Sequence, residues 1–169
     1  MRKINYLQIL LHFIASCFFI FSFRAFSSAY NIKILKLVTE NGVENVMKNS
    51  EKYGITISDI WYLTFTTEIS NLIGIFVAFI ISILISIKKK WSIWNSFIVL
   101  ILSFLLNRFD LLGWSYLKTY LSVGKYINNM LLGFLTTGTF LLIIGLLIFL
   151  SNFLSDRIEN QKQKQMHYC

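Results

Sequence analysis

Four ionisable residues lie near the ends of long apolar stretches, where a charged side chain is costly. Two are basic, Arg24 and Arg108, and two are acidic, Glu68 and Asp110. A charge at the centre of a membrane helix costs roughly 2.5–3.5 kcal/mol, so such residues usually pair with one another. If the apolar stretches are membrane helices, all four lie near one membrane face, and we predict an ion-pair network in which Glu68 pairs with Arg108. The alternative is that both arginines extend to lipid headgroups.

A second set of polar residues recurs at spacings of four and seven, which places its members on one face of a helix. Small hydroxyl and amide side chains on such a face form hydrogen bonds between membrane helices, each worth roughly 0.6 kcal/mol. We favour this interpretation, and the alternative is that the face lines a polar path. The members of this polar stripe are Ser92, Ser96, Ser103, Asn107 and Asp110.

His12 lies close to the middle of the first apolar stretch. We expect a neutral imidazole that is hydrogen-bonded within a helix bundle, and a proton-handling role is the alternative. The sequence contains no P-loop and no H-E-x-x-H motif, and no Ser-His-acid set is evident. Its cysteines and histidines do not have metal-ligand spacing. We therefore predict no catalytic residue, no metal site and no cofactor.

The composition decides the class of protein to which these residues belong. The chain is 56% hydrophobic and only 14% charged, whereas soluble domains carry about 25% charged residues. Its apolar residues come in long blocks, and a helix of about 20 apolar residues spans a hydrocarbon core of roughly 30 Å. The sequence predicts an all-α integral membrane protein, a single domain over 1–169 with four transmembrane helices. The predicted spans are about 4–24, 60–87, 91–112 and 129–153.

The first span has two competing interpretations. Its apolar run is longer than the 7–15 residues of a signal-peptide core, which favours an uncleaved helix that Arg24 closes. The residues 14–17 resemble a lipoprotein processing box that ends at Cys17. The residues after Cys17 remain apolar, whereas a lipoprotein normally becomes polar there, so we favour the membrane helix.

A polar connection over 31–59 separates the first two spans. Lys36 and Glu40, like Glu44 and Lys48, are four residues apart, a spacing that supports exposed helix. Gly42 predicts a break between two helices. We predict short amphipathic helices that lie on the membrane surface or cap the bundle, and a solvated helical linker is the alternative.

Small residues recur every fourth position in the second predicted span, so a neighbouring backbone can approach that face closely. The fourth span has a weaker version in Gly133, Thr137 and Gly145. We expect both faces to pack against other spans or against each other, and a homodimer seam is the alternative. The helix-packing face of the second span consists of Ser70, Gly74, Ala78, Ser82 and Ser86.

The net charge is +8, and the basic residues cluster beside the apolar blocks. This placement argues against a nucleic-acid partner and favours contact with lipid headgroups. The N-terminus, the Lys88–Lys90 turn and the tail over 154–169 fall on one side if there are four spans. The positive-inside rule then predicts an inner (plasma) membrane protein with both termini and the tail in the cytoplasm.

For function, these features favour a non-catalytic accessory or structural subunit that binds the lipid bilayer and another membrane protein or itself. The first alternative is a small oligomeric channel or transporter lined by the polar stripe. The second is a lipid-modifying enzyme that places Glu68, Arg108 and Asp110 at the level of the headgroups.

Overall fold

The computed structural model describes residues 4–109, 121–151 and 154–159, and all regular secondary structure within them is helical. Two short 3₁₀ helices, Glu51–Tyr53 and Val123–Tyr126, accompany the α-helices, and residues 154–159 are also helical. The all-α class is therefore confirmed for this part of the chain. The α-helices are α1 (Tyr6–Tyr30), α2 (Ile32–Asn41), α3 (Val43–Lys48), α4 (Ile57–Lys88), α5 (Ile93–Arg108) and α6 (Met130–Leu150).

Three of these helices, α1, α4 and α6, are long and apolar enough to cross a membrane. α4 is the longest with 32 residues, which corresponds to roughly 48 Å at 1.5 Å per residue. α5 is apolar but has only 16 residues, or roughly 24 Å. The predicted end of that span at residue 112 and the predicted end of the last span at residue 153 lie outside the described residues.

The first helix does not end at Arg24 but continues to Tyr30. Arg24 is half-buried within it, and the Ser28 hydroxyl donates to the Arg24 carbonyl. The small residues Ala25 and Ala29 are buried. A single arginine does not interrupt the backbone hydrogen bonds of a helix, and the small buried side chains let α1 pack against its neighbours up to its last turn.

α1 lies in the middle of the bundle, with α4, α5 and α6 packed around it. Hydrogen bonds between side chains establish the direction of α4. Gln8 bonds to Ser86, whereas His12, one turn further along α1, bonds to Ser82. Because the partner numbers fall as the α1 numbers rise, α4 is antiparallel to α1.

The other two neighbours of α1 run in opposite directions. Gln8 bonds to Asn95 and Ser16 bonds to Ser103, so α5 is parallel to α1. Phe19 contacts Gly145 and Phe26 contacts Gly138, so α6 is antiparallel to α1. The helices α1, α4, α5 and α6 therefore alternate in direction along the chain.

The turn between α4 and α5 brings the start and the end of the described chain together. The Asn5 Nδ2 atom donates a hydrogen bond to the carbonyl oxygen of Ile158 at 3.1 Å. The Lys89 Nζ atom lies 4.0 Å from Glu159 Oε1, which makes a long ion pair. The N-terminus of α1, the Lys88–Lys90 turn and the helical segment 154–159 therefore share one end of the bundle. We call it the basic end, and the opposite end the outer end.

The connection over 31–59 covers part of the outer end with two short helices, α2 and α3. Gly42 separates them in a conformation with φ of 79°, which favours glycine. Val46 and Ile55 are buried, and the Tyr53 hydroxyl donates to the Asn41 side chain at 3.2 Å. These contacts fold the connection back on itself.

The interior of the bundle is unusually polar for its apolar surface, whereas a soluble protein has an apolar interior and a polar surface. Serines and amides are buried there beside apolar residues such as Phe19, Ile75 and Leu141. Large apolar side chains are exposed along α4, α5 and α6. This distribution is compatible with a surface that faces lipid, where backbone and buried polar groups must be satisfied internally.

Candidate functional site

A cluster of buried polar side chains lies at the basic end, where α1 meets α4 and α5. Each member is less than 5% exposed. Buried polar groups are costly unless they are hydrogen-bonded, so the partners of this cluster determine what it can do. We call it the polar core, and it consists of Asn5, Gln8, His12, Ser82, Ser86, Asn95 and Ser96.

The amide of Gln8 connects three helices. The Asn95 Nδ2 atom donates to Gln8 Oε1 at 2.6 Å, and Gln8 Nε2 donates to Ser86 Oγ at 2.9 Å. Ser86 Oγ in turn lies 3.1 Å from Ser96 Oγ. One side chain of α1 is therefore bonded to both α4 and α5, at the point where those two helices are joined by their turn.

His12 extends the same network one turn deeper into the bundle. Its Nδ1 atom lies 2.7 Å from Ser82 Oγ, and Ser82 donates to Ser96 Oγ at 2.8 Å. The imidazole also packs edge-on against the Phe149 ring, with ring centroids 5.0 Å apart. His12 thereby links α1 to α4 and α6.

The polar stripe of α5 turns into the bundle. Ser92, Ser96 and Ser103 are buried, Asn107 is half-buried, and Asp110 lies outside the described residues. Besides the bonds of Ser96, the hydroxyls of Ser103 and Ser16 lie 2.8 Å apart. These side chains bond to α1 and α4 of the same chain.

The helix-packing face of α4 also lies against α1. Its members Gly74, Ala78, Ser82 and Ser86 are buried, and Ser70 is half-buried. A Cβ atom on Gly74 would lie 3.0 Å from the Cα atom of Ile20, which shows how closely the two backbones approach.

The glycines of α6 pack against α1 and against the segment before α6, and not against α4. A Cβ atom on Gly145 would lie 2.8 Å from the Phe19 ring, and Gly133 lies against the backbone of Gly124 in the preceding segment. The Gly124 N–H donates to Thr137 Oγ1 at 2.9 Å. The small residues of α4 and of α6 therefore approach α1 and the segment before α6, not each other.

The four residues of the predicted boundary network differ in burial. Arg24 is half-buried, Glu68 and Arg108 are exposed, and Asp110 lies outside the described residues. Asn107 Nδ2 lies 3.5 Å from Glu68 Oε2, a long and weak hydrogen bond. No ion pair within 4.0 Å joins Glu68 to Arg108 in the described part of the chain. The pairing of Arg108 with Glu68 stays a prediction.

Sequence reasoning missed the amides of the polar core. Asn5, Gln8, His12 and Ser16 are spaced three and four residues apart, the signature of one helical face. That signal was present in the sequence. Asn71 carried no such signal: it is fully buried on α4, and neither of its side-chain polar atoms has a hydrogen-bond partner among the described residues.

Comparisons with known proteins give no relative from which a function could be transferred. No family model matches the chain, and neither the curated proteins nor the solved structures gave a match. Over the residues that the structure describes, no three His, Cys, Asp or Glu side chains are grouped to hold a metal ion. The arrangement of the polar core is suited to fixing helices against one another.

Proposed function

We propose that this chain is a four-span protein of the inner (plasma) membrane with both termini in the cytoplasm. The alternating directions of α1, α4, α5 and α6 support it, because each helix returns the chain to the opposite end of the bundle. The three basic segments of the sequence would then lie on one side, as the positive-inside rule requires. α5 is shorter than the hydrocarbon core, but the shortfall of roughly 6 Å is within what local thinning and tilted neighbours accommodate.

We further propose that the protein is a non-catalytic accessory or structural subunit that binds another membrane protein or a second copy of itself. The observation that carries this proposal is the exposed apolar stripe of α4. Ile57, Trp61 and Phe65 are 72%, 71% and 61% exposed and follow one another at four-residue spacing. Exposed aromatic and aliphatic residues in a row mark interaction surfaces.

The position of this stripe favours a protein partner over acyl chains. Trp61 lies roughly 40 Å along α4 from Lys88, and Phe65 roughly 35 Å, at 1.5 Å per residue. A hydrocarbon core of roughly 30 Å that begins near Lys88 therefore ends before either residue. A partner that covers Ile57, Trp61 and Phe65 would remove them from the headgroup region and from water.

An oligomeric channel or transporter remains the alternative, and the polar core gives it less support. Such a path needs polar side chains that face it. Ser96 and Ser103 are instead bonded to Ser82 and Ser16 of the same chain. Opening a path along α5 would break these hydrogen bonds.

Gentle detergent extraction from native membranes, followed by mass spectrometry, tests the subunit proposal. We expect a partner in fixed stoichiometry with the wild-type chain that is lost from both Trp61→Ala and Phe65→Ala. Phe76→Ala is the matched control, since Phe76 is 56% exposed on the same helix but within the hydrocarbon depth. Recovery of the chain alone as a homo-oligomer that is insensitive to both variants would contradict the proposal and favour a channel or transporter.

A further inference from the structure

A cavity of about 280 Å³ lies at the outer end, between the corner that joins α1 to α2 and the first turns of α4. It is smaller than the roughly 300–1,000 Å³ of sites for drug-sized ligands. Its size therefore suits a small polar group. Its wall contains an acid, a base and tyrosines: Asp59, Lys33, Tyr30, Tyr53 and Tyr62.

The carboxylate of Asp59 is held in place through one of its two oxygen atoms. Its Oδ2 atom accepts hydrogen bonds from the Thr56 N–H and from the Thr56 hydroxyl, both at 2.8 Å. The bond from the Thr56 N–H belongs to the capping box that begins α4, and the two bonds together fix the orientation of the carboxylate. Among the described residues, Oδ1 has no hydrogen-bond donor, so it is available to a cationic ligand.

Two tyrosine rings line the same cavity as this carboxylate. The hydroxyls of Tyr30 and Tyr62 lie 3.2 Å apart, and their ring centroids are 6.4 Å apart. The two rings come from different helices, and their contact holds the end of α1 against α4. Tyrosine faces attract cations, so Tyr30 and Tyr62 add to the attraction of Asp59 for an ammonium group.

Lys33 supplies the opposite charge on the same wall. It is exposed and acts electrostatically on Asp59, yet the two side chains form no ion pair within 4.0 Å in this part of the chain. The two opposite charges therefore line one cavity without pairing with each other. A ligand that carries both an ammonium and an anionic group would satisfy them together.

The depth of the cavity identifies the source of such a ligand. Asp59 lies roughly 44 Å along α4 from Lys88 at 1.5 Å per residue. In a bilayer of about 40–45 Å whose hydrocarbon core of roughly 30 Å begins near Lys88, the outer headgroup region ends roughly 35–38 Å from Lys88. A helix tilt of about 20–30° places Asp59 roughly 38–41 Å from Lys88 along the membrane normal, at the water-facing edge of those headgroups. Ile34 and Leu37 also line the cavity and can contact the first carbons of the attached chains.

We infer that this cavity binds the headgroup of an ethanolamine phospholipid. The ammonium donates to Asp59 Oδ1 beside Tyr30 and Tyr62, and the phosphate lies at Lys33. A primary ammonium fits better than a choline, since choline has no N–H to donate. This inference rests on the proposed insertion of α1 and α4 into a membrane and is independent of the partner-binding role.

Lipid retention in native mass spectrometry tests the inference. The full-length protein is reconstituted into vesicles of phosphatidylethanolamine, phosphatidylcholine and phosphatidylglycerol in equal parts, floated, and released in mild detergent. We expect the wild type to retain one phosphatidylethanolamine preferentially. Loss of a charge-assisted contact in Asp59→Asn or Lys33→Gln should lower that retention about tenfold. Glu44→Gln is the control, since Glu44 is exposed on α3 and does not line the cavity.

The outcomes separate the inference from the proposal on which it rests. Chain that fails to float with the vesicles would refute membrane insertion itself. Floated chain that retains the three lipids equally, or that retains phosphatidylethanolamine equally in Lys33→Gln, Asp59→Asn and the wild type, would overturn the lipid site. Chain that binds free phosphoethanolamine in detergent but retains no phosphatidylethanolamine from the vesicles would overturn the assignment to a membrane lipid. Lys33→Gln keeps the test valid if Asp59→Asn weakens the capping box, because Lys33 makes no capping bond.

Discussion

Replacing Gln8 with leucine tests whether the polar core holds the bundle together. Gln8 is 1% exposed, and its side chain bonds to both Asn95 and Ser86. Leucine has a similar volume, so the change removes hydrogen bonds without leaving a large cavity. Two interhelical hydrogen bonds at roughly 0.6 kcal/mol each are lost, and the buried Asn95 amide loses its acceptor at roughly 1–3 kcal/mol. The free energy of unfolding should therefore fall by about 2–4 kcal/mol.

The measurement is reversible unfolding in mixed micelles, followed by helix content. Ser28→Ala is the control, because among the described residues the Ser28 hydroxyl bonds only to the Arg24 carbonyl of its own helix. We expect a change within about 0.5 kcal/mol. Adding Asn95→Leu to Gln8→Leu removes the orphaned amide, so the double variant should be more stable than Gln8→Leu alone. If Gln8→Leu unfolds like the Ser28→Ala control, Gln8 does not connect the helices and the reasoning is refuted.

Three further substitutions test close approaches and a turn. Gly74→Leu should lower the free energy of unfolding by about 1–3 kcal/mol or more, because the backbone of α1 at Ile20 occupies the space. Gly124→Ala should release the segment before α6, since its Cβ would overlap the Gly133 carbonyl, and the thermal midpoint in detergent should fall. Lys90 has a φ of 53° at the end of α4, so Lys90→Gly should raise stability by about 1 kcal/mol.

Each of these predictions has a control on the same element. Ile73→Leu alters an exposed side chain beside Gly74, and Ser122→Ala alters the residue two before Gly124. Lys88→Gly places glycine at the last residue of α4 and should lower stability, by at most about 1 kcal/mol. Equal effects of Gly74→Leu and Ile73→Leu would contradict the close approach of α4 to α1. An unchanged thermal midpoint for Gly124→Ala would contradict its contact with Gly133. A loss of stability in Lys90→Gly would contradict the cost assigned to the positive φ of Lys90.

The long helices were predictable because the apolar blocks exceed the length that a membrane helix needs. The inward face of α4 was predictable in the same way, since residues four apart lie on one side of a helix. Gly74, Ala78 and Ser82 recur at that spacing. Both signals are local, because each depends only on residues within one helix.

The partners of these faces were not predictable, because they depend on how distant helices align. Gln8 and Asn95 are 87 residues apart in the chain, and their contact requires that α5 be parallel to α1 at one register. The predicted pairing of Arg108 with Glu68 depends on the same kind of alignment. We predicted that pair only because both residues lie at a similar predicted depth in the membrane. In the structure, the Asn107 side chain lies beside Glu68.

The outer cavity was also beyond sequence reasoning. Lys33 follows the end of α1, whereas Asp59 begins α4 after two short helices and a 3₁₀ turn. Only the folding of that connection brings the two charges to one wall. The tyrosines Tyr30 and Tyr62 read as isolated residues in the sequence because they lie 32 positions apart.

The side of the membrane on which Cys169 lies is the most direct test of the four-span account. Cys17→Ala leaves Cys169 as the sole native cysteine, and Glu44→Cys in a separate chain without native cysteines marks the outer connection. A membrane-impermeant maleimide should label position 44 in intact cells and Cys169 only after lysis, because three crossings separate the two positions. Labelling of both positions in intact cells would show an even number of crossings between them and contradict the account.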